Sequence, residues 1–597
     1  MTAQIDIRQA LTLLQSGQFK AALKLCKAGM RRFPREPGFA NLAGMALSQS
    51  GNPREGAQYF VKALRLAPSD TVYQDNLAMA YVQSGQYDKA EALIQKILPR
   101  RSQQGSLYYQ LGVMEMQRGA LDRALQAATD AIEADRAMIA DQGGMTPEFG
   151  QAVARAYNLR AVTHVAMGDD DRAYDDYRAA LEFDPNNLET LSNISLQLAR
   201  RMQTAKALAA LEKALSINPR HLNALQRYGI QLNEAGRRDE AVEVLNMALQ
   251  VDPANSDILR ELARIATADA MPQLKPKLDA AFAKARKGSI DRARVAFALA
   301  HCAEKTGQSD EAARLYGIAN ALTAELRPDD RARAGREEAA IMALFPSGHR
   351  VPQAPAGKGP VPIFVVGQPR SGTTLTELVL SAHPRITGVG EQAIAGRLAH
   401  PFLTEGATFG AQEAQAFARD YWTALPGQEG DPAGIVDKMP ANYKYVGFLL
   451  AALPDAVILN AARDPRDVAW SMWRNWFPNQ PMNYTFDMAA MAAEANAYAR
   501  YIAHWKALFP GRVHDIVYED LVSDLEGQSR RLAALCGVDW MPDMAAPERN
   551  TSAVRTASVN QVREGVHTRS IGGWAEHADT LAPFIEGLDP ELWPGIR

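Results

Sequence analysis

The sequence predicts two architectures in series: an all-α array of repeated helix pairs, then an α/β domain on a central parallel sheet. Three observations predict it. Glycines recur every 34 residues in the first part of the chain. A stretch dense in proline and glycine interrupts the pattern, and a β-branched strand then runs through a glycine-containing loop into a helix. At 597 residues the chain exceeds what one core organises, so two or three domains are expected. The divisions read are 1–325 for the array, 326–360 for a linker and 361–597 for the α/β domain.

Gly17, Gly51, Gly85 and Gly119 set the repeat. Five positions later stand Ala22, Ala90 and Ala124; in the second unit Gly56 holds that place and Ala57 follows. After an insertion around Gln142–Gln151 the phase resumes with Gly168 and Ala173, Met202 and Ala207, Gly236 and Ala241. One degenerate unit later come Gly307 and Ala312. Pro34, Pro68, Pro185, Pro219 and Pro253 lie seventeen positions after Gly17, Gly51, Gly168, Met202 and Gly236. The glycine ends a first helix and permits a tight turn. The small alanine lets the second helix approach closely, and the proline stops it. Period and punctuation resemble the tetratricopeptide repeat, which implies a helical solenoid with a surface for a peptide or partner protein. The alternative is an array that mediates self-association, giving a homodimer, or that props the following domain.

The segment PSGHRVPQAPAGKGPVP reads as a boundary. Beyond it, Pro362–Gly367 is a short apolar run suited to a buried strand, and Gln368–Thr374 is a loop before a helical pattern at Leu375, Leu378, Val379 and Leu380. Strand, glycine loop and helix make an anion cradle, because backbone N–H groups and the helix N-terminus present partial positive charge. Gly367 and Gly372 have the spacing of a nucleotide triphosphatase loop, but Thr373 stands at its lysine and Arg370 comes earlier. That argues against magnesium-bound ATP.

The loop GQPRSGTTLTELVLSAHP resembles the 5'-phosphosulfate loop of the sulfotransferases, in particular the tyrosylprotein sulfotransferases and their bacterial relatives. Four further segments follow in the family's order: Val436–Asn442, Ala456–Asp467, Val517–Leu521, and Thr556 through Trp574. The resemblance implies an α/β P-loop-like sulfotransferase fold. It implies 3'-phosphoadenosine-5'-phosphosulfate as donor and adenosine 3',5'-bisphosphate as product. It also implies roles. Arg370, Ser371, Gly372, Thr373 and Thr374 hold the 5'-phosphosulfate. Arg463 and Ser471 hold the 3'-phosphate, where a guanidinium binds bidentately. Glu391 is the general base for the acceptor hydroxyl, with His383 as its rival. Lys438, assisted by Arg370, stabilises charge on the bridging oxygen. Ser558, Arg563 and Tyr518 are further donor contacts. Gly565 departs from the family, whose members often have proline there, so a looser C-terminal loop is expected.

Trp470, Trp473, Trp476 and Phe477 read as core aromatics on one helix. The implied reaction moves a sulfuryl group to a hydroxyl, of a protein or peptide tyrosine or else of a carbohydrate or small molecule. From other classes stand a P-loop kinase and a non-catalytic repeat scaffold. A net charge of −3 gives no support for a nucleic-acid binder. Cys26, Cys302 and Cys536 are too scattered for a metal or disulfide framework, so no metal is expected. The N-terminus lacks secretory character, and no apolar run reaches the ~20 residues that span a bilayer. A cytoplasmic protein is expected.

Overall fold

The protein is described by a computed structural model. It describes residues 3–101, 103–141, 144–348, 351, 353–355, 357, 359–404, 406–426, 430–478, 480–549 and 565–596. The chain divides into two compact units, Met1–Gln197 and Leu198–Arg597.

The first unit consists of helix pairs. Phe19–Arg32, Pro53–Leu66 and Asp170–Phe183 each end two residues before the expected proline. Gly17, Gly51, Gly85, Gly119 and Gly168 all have φ between +70° and +85°, the left-handed turn that a side chain disfavours. Ala22, Ala90, Ala124 and Ala173 are fully buried where the two helices of a pair touch. The departure at Gly56 has a steric cause: a Cβ there would stand 2.8 Å from the Gly44 carbonyl oxygen and 2.6 Å from Ser48 Oγ.

The second unit holds the remaining repeats and the sheet. Helices Thr204–Ile217 and Arg238–Val251 again end two residues before proline. Met202 takes the turn glycine's place and adopts φ +60°. Helices Ile290–Lys305 and Ser309–Leu326 form the last pair of the series. Leu259, Phe297, Tyr316 and Ala319 of the repeats share one core with Val468, Trp470, Met472, Phe486 and Phe584. The repeats of this unit and the α/β fold therefore have no solvent layer between them.

Much of the stretch read as linker is ordered. Arg331–Leu344 is a helix capped by Asp330. Ile341 and Phe345 anchor it in the core, where Phe345 packs edge-on against Phe448 and Trp505 at 4.8 and 5.7 Å. Its polar face is tied down by Arg500 to Glu338 and by the Tyr445 hydroxyl donating to Glu337. Its sequence is rich in Arg, Glu and Ala with few apolar anchors, which is why composition alone reads as a connector.

Five parallel strands follow: β1 Val361–Gly367, β2 Ile386–Gly388, β3 Gly434–Asp437, β4 Val457–Ala462 and β5 Val513–Val517. Their order is β2-β3-β1-β4-β5. Ile363–Val366 are fully buried, as a parallel strand covered on both faces requires. The chain leaves β1 toward β2 on one side and β4 toward β5 on the other. The carboxyl ends of β1 and β4 thus flank the point where the winding reverses, the place at which open α/β sheets bind ligands.

Candidate active site

Each strand delivers a polar residue just beyond its carboxyl end: Arg370 after β1, Glu391 after β2, Lys438 after β3, Arg463 after β4 and Tyr518 after β5. The β1 loop is tightly wound. Gly367 has φ +147°, Arg370 +71° and Gly372 +104°, before the Thr373–Ser381 helix begins. Arg370 is one of two non-glycine residues with positive φ among the described residues. Strain of this kind collects at functional sites. A Cβ on Gly372 would meet Tyr518 Cδ2 at 2.6 Å, so glycine lets the loop lie against that ring.

The loop is cross-braced to the β4 end. Arg370 Nε donates to Ser471 Oγ at 2.9 Å, and Arg463 Nη1 donates to the Arg370 carbonyl at 3.1 Å. Arg463 stacks on Tyr518 at 4.3 Å and donates through Nη2 to the Ser570 carbonyl at 2.5 Å. Asp464 caps the Pro465–Trp473 helix that carries Ser471. Burial, followed by the charges of Arg474 and Arg463, pushes the Arg370 guanidinium down to about 9. It stays cationic at neutral pH, and an anion beside it would relieve that repulsion.

Arg370, Gly372, Thr374, Arg463, Ser471 and Tyr518 line one cavity of about 440 Å³. Ser371 Oγ and Arg463 Nε are buried with no hydrogen-bond partner. Orphaned buried donors call for an acceptor. A ligand carrying phosphate oxygens fits the donors that line this cavity, Arg370, Arg463 and Ser471.

A second centre lies on the other side of the loop. Lys438, buried, pairs with Glu391 at 2.5 Å and stands 4.0 Å from Glu377 Oε2. Glu377 Oε1 accepts from the Gly390 N–H at 2.9 Å, and Lys438 N donates to the Gly390 carbonyl at 3.0 Å. The glycine loop carrying Glu391 is thereby gripped from both faces. Burial pushes the Glu377 carboxyl up, against the Lys438 charge. Burial also drives Asp437 up to about 7, although the Tyr421 hydroxyl and the Gln392 N–H hold it back. Glu391 lines a separate cavity of about 600 Å³, which shares Arg370, Gly372 and Thr374 with the first and also contains Thr373. Its far wall includes Arg260, Arg264 and His301 from the repeat helices.

The expected residues therefore gather around one loop. Ser558 and Arg563 lie outside the described residues. His383 is buried and accepts from the Arg385 N–H through Nδ1, and it lines neither cavity. Gly565 has φ +83°, which proline's ring forbids, so this position could not hold the family residue in this conformation. The aromatic cluster divides. Trp470 and Trp473 are buried on the Pro465–Trp473 helix, whereas Trp476 and Phe477 follow its end and line the second cavity. Arg327, from the repeats, donates to the Phe477 and Pro478 carbonyls beyond the helix end. Asp467, which the sequence offers only as a capping partner for Arg463, lies 4.0 Å from Arg463 Nη2 and accepts from Gly572 N at 2.8 Å and Trp574 N at 3.0 Å. An acid four residues after a candidate anion-binding arginine was its available signal.

Residues 362–542 match the model of the sulfotransferase family. The chain contains a sulfotransferase-family domain. Ahead of it, residues 7–71, 47–112, 154–187 and 198–265 match tetratricopeptide-repeat models. An uncharacterized protein of Aquifex aeolicus (strain VF5) is 29% identical over 39% of this chain, and the match spans 34% of that protein's length. A protein of Caenorhabditis briggsae named "Putative protein-tyrosine sulfotransferase" is 24% identical over 38% of this chain and 88% of its own. Among solved structures, yeast Tom70 is 14% identical with a TM-score of 0.28, covering 54% of this chain and 76% of its own. YrrB, a TPR protein with an unusual peptide-binding site, is 20% identical with a TM-score of 0.23, covering 33% and 94%. At these scores neither structure bears on function. Among the described residues, no group of three or more His, Cys, Asp or Glu is placed to hold a metal. No described helix is long and apolar enough to cross a membrane.

Proposed function

We propose that the sulfotransferase domain transfers the sulfuryl group of 3'-phosphoadenosine-5'-phosphosulfate to an acceptor hydroxyl. The observation that carries this reading is the cavity that Gly372 of the anion cradle and the Arg463 guanidinium both line. The acceptor oxygen attacks sulfur while the bond from sulfur to the bridging phosphate oxygen breaks. Glu391 takes the hydroxyl proton, and adenosine 3',5'-bisphosphate leaves. Lys438 and Arg370 stabilise the negative charge gathering on the leaving oxygen and the sulfuryl group. Ser371, Thr373 and Thr374 hold the 5' end, and Arg463, Ser471 and Tyr518 the 3' end.

The name carried by the Caenorhabditis relative supports a peptide tyrosine as acceptor, and the repeats would present the protein that bears it. Three buried free thiols, Cys26, Cys302 and Cys536, support a reducing compartment, the cytoplasm.

The test pairs two variants. Glu391→Ala should abolish transfer from sulfur-labelled donor to proteins of a cell extract while leaving calorimetric affinity for adenosine 3',5'-bisphosphate nearly intact. Arg463→Ala should weaken that affinity by about 2–4 kcal/mol. Thermal stabilisation by ATP–magnesium but not by the bisphosphate would instead point to a kinase.

A further inference from the structure

Arg474 lines the same cavity as Arg370 and Arg463, one turn beyond Ser471. Its Nε is buried without a hydrogen-bond partner. Its Nη1 is paired with Glu304, and Glu304 belongs to repeat helix Ile290–Lys305. Glu304 is itself fixed. The buried Tyr316 hydroxyl donates to Glu304 Oε2 at 2.7 Å and lies 2.9 Å from His301 Nδ1. Burial would raise the Glu304 carboxyl, but Arg474, His301 and Tyr316 together hold it well below the usual range. The next repeat helix grips the backbone on both sides of Arg474: Asn320 Nδ2 donates to the Trp473 carbonyl at 2.9 Å, and Arg327 binds Phe477 and Pro478.

An arginine whose charge is only part-used by a fixed carboxylate, with an orphaned N–H in a cavity of two further arginines, is set for a polyanion. The pair with Glu304 leaves the buried Arg474 Nε–H without an acceptor. We propose that Arg474 is a third donor-binding arginine and that Glu304 of the repeat helix is the residue that positions it. The donor pocket is then complete only with the last repeat pair in place. This inference rests on the donor reading above.

The test is calorimetry of the full chain with adenosine 3',5'-bisphosphate, melting transitions being checked first. Arg474→Ala and Glu304→Ala should each weaken binding by roughly tenfold, the scale of one charge-assisted hydrogen bond. The double variant should bind no more weakly than Arg474→Ala alone, because the two act through one contact. Should Glu304→Ala lose its fold, Glu304→Asp takes its place with the same expected direction. Tighter binding by a Glu304 variant would make that residue a mere countercharge and overturn the positioning role. Unchanged binding by folded Arg474→Ala would overturn the whole inference. Arg463→Ala separates the two readings: if it weakens binding while Arg474→Ala does not, the donor site stands and only this inference falls. If the wild-type protein binds no bisphosphate, both fall.

Discussion

Lys438 Nζ lies 2.5 Å from Glu391 Oε1, so the proposed electrophilic lysine and the proposed base hold each other. In the proposed transfer the amine serves the leaving oxygen and the carboxylate the acceptor. Lys438→Ala should then lower single-turnover sulfuryl transfer by about 100-fold, the range of one lost transition-state donor. Affinity for the bisphosphate product, which has no sulfuryl bond to break, should change far less.

Gly372→Ala should cost donor binding. The substitution places a Cβ 2.6 Å from Tyr518 and at φ +104°. Displacing Tyr518 also removes the ring on which Arg463 stacks. Titration with adenosine 3',5'-bisphosphate should show a loss of more than about tenfold, and thermal melting a destabilisation of about 1–2 kcal/mol.

Met202→Gly should stabilise the chain. Met202 holds φ +60° at a turn where the other units place glycine. Relief of the left-handed strain is worth about 1 kcal/mol, less the greater freedom of glycine in the unfolded chain. Urea denaturation monitored by circular dichroism measures it.

Asp437 gives the pH dependence. Its folded value of about 7 lies above the ~3.9 of an unfolded aspartate. The folded state therefore binds the extra proton between these values. The stability Asp437 contributes is complete below about pH 4 and is lost as pH rises through 7. Asp437→Asn titrates nothing there. Melting temperatures of the two proteins should diverge in the variant's favour from pH 5 to pH 8; parallel curves would count against a raised carboxyl.

The repeat helices and the strand–loop–helix of Val361–Ser381 were legible in the sequence, because periodicity and glycine spacing are local signals. Arg463 stood out because it closes an apolar strand, whereas Glu391, Lys438 and Tyr518 were marked only by the resemblance of their segments to the family. Arg331–Leu344 was hidden, because its partners Phe448 and Trp505 lie more than 100 residues away and its composition is polar. Glu304, Tyr316 and Asp467 were hidden for a related reason. Arg474, the partner of Glu304, and Gly572 and Trp574, the partners of Asp467, lie more than 100 residues away, Tyr316 meets His301 and Glu304 only once its helix packs on theirs, and nothing near Glu304 in sequence distinguishes it from a solvated helix acid. Past the break after Trp473, Trp476 and Phe477 line a cavity wall, and Arg327 of the repeats binds the Phe477 carbonyl from 150 residues away.

The cavities of about 440 and 600 Å³ have Arg370, Gly372 and Thr374 as their common wall. Apart from these residues each is built from its own set of side chains; with the proposed donor in the first and the acceptor beside Glu391 in the second, neither need vacate its chamber for the other to enter. Direct handover across such a partition requires both to be aboard at once. Reciprocal plots at varied concentrations of the two should therefore intersect, as in a ternary-complex scheme, and no sulfated enzyme should accumulate when acceptor is withheld.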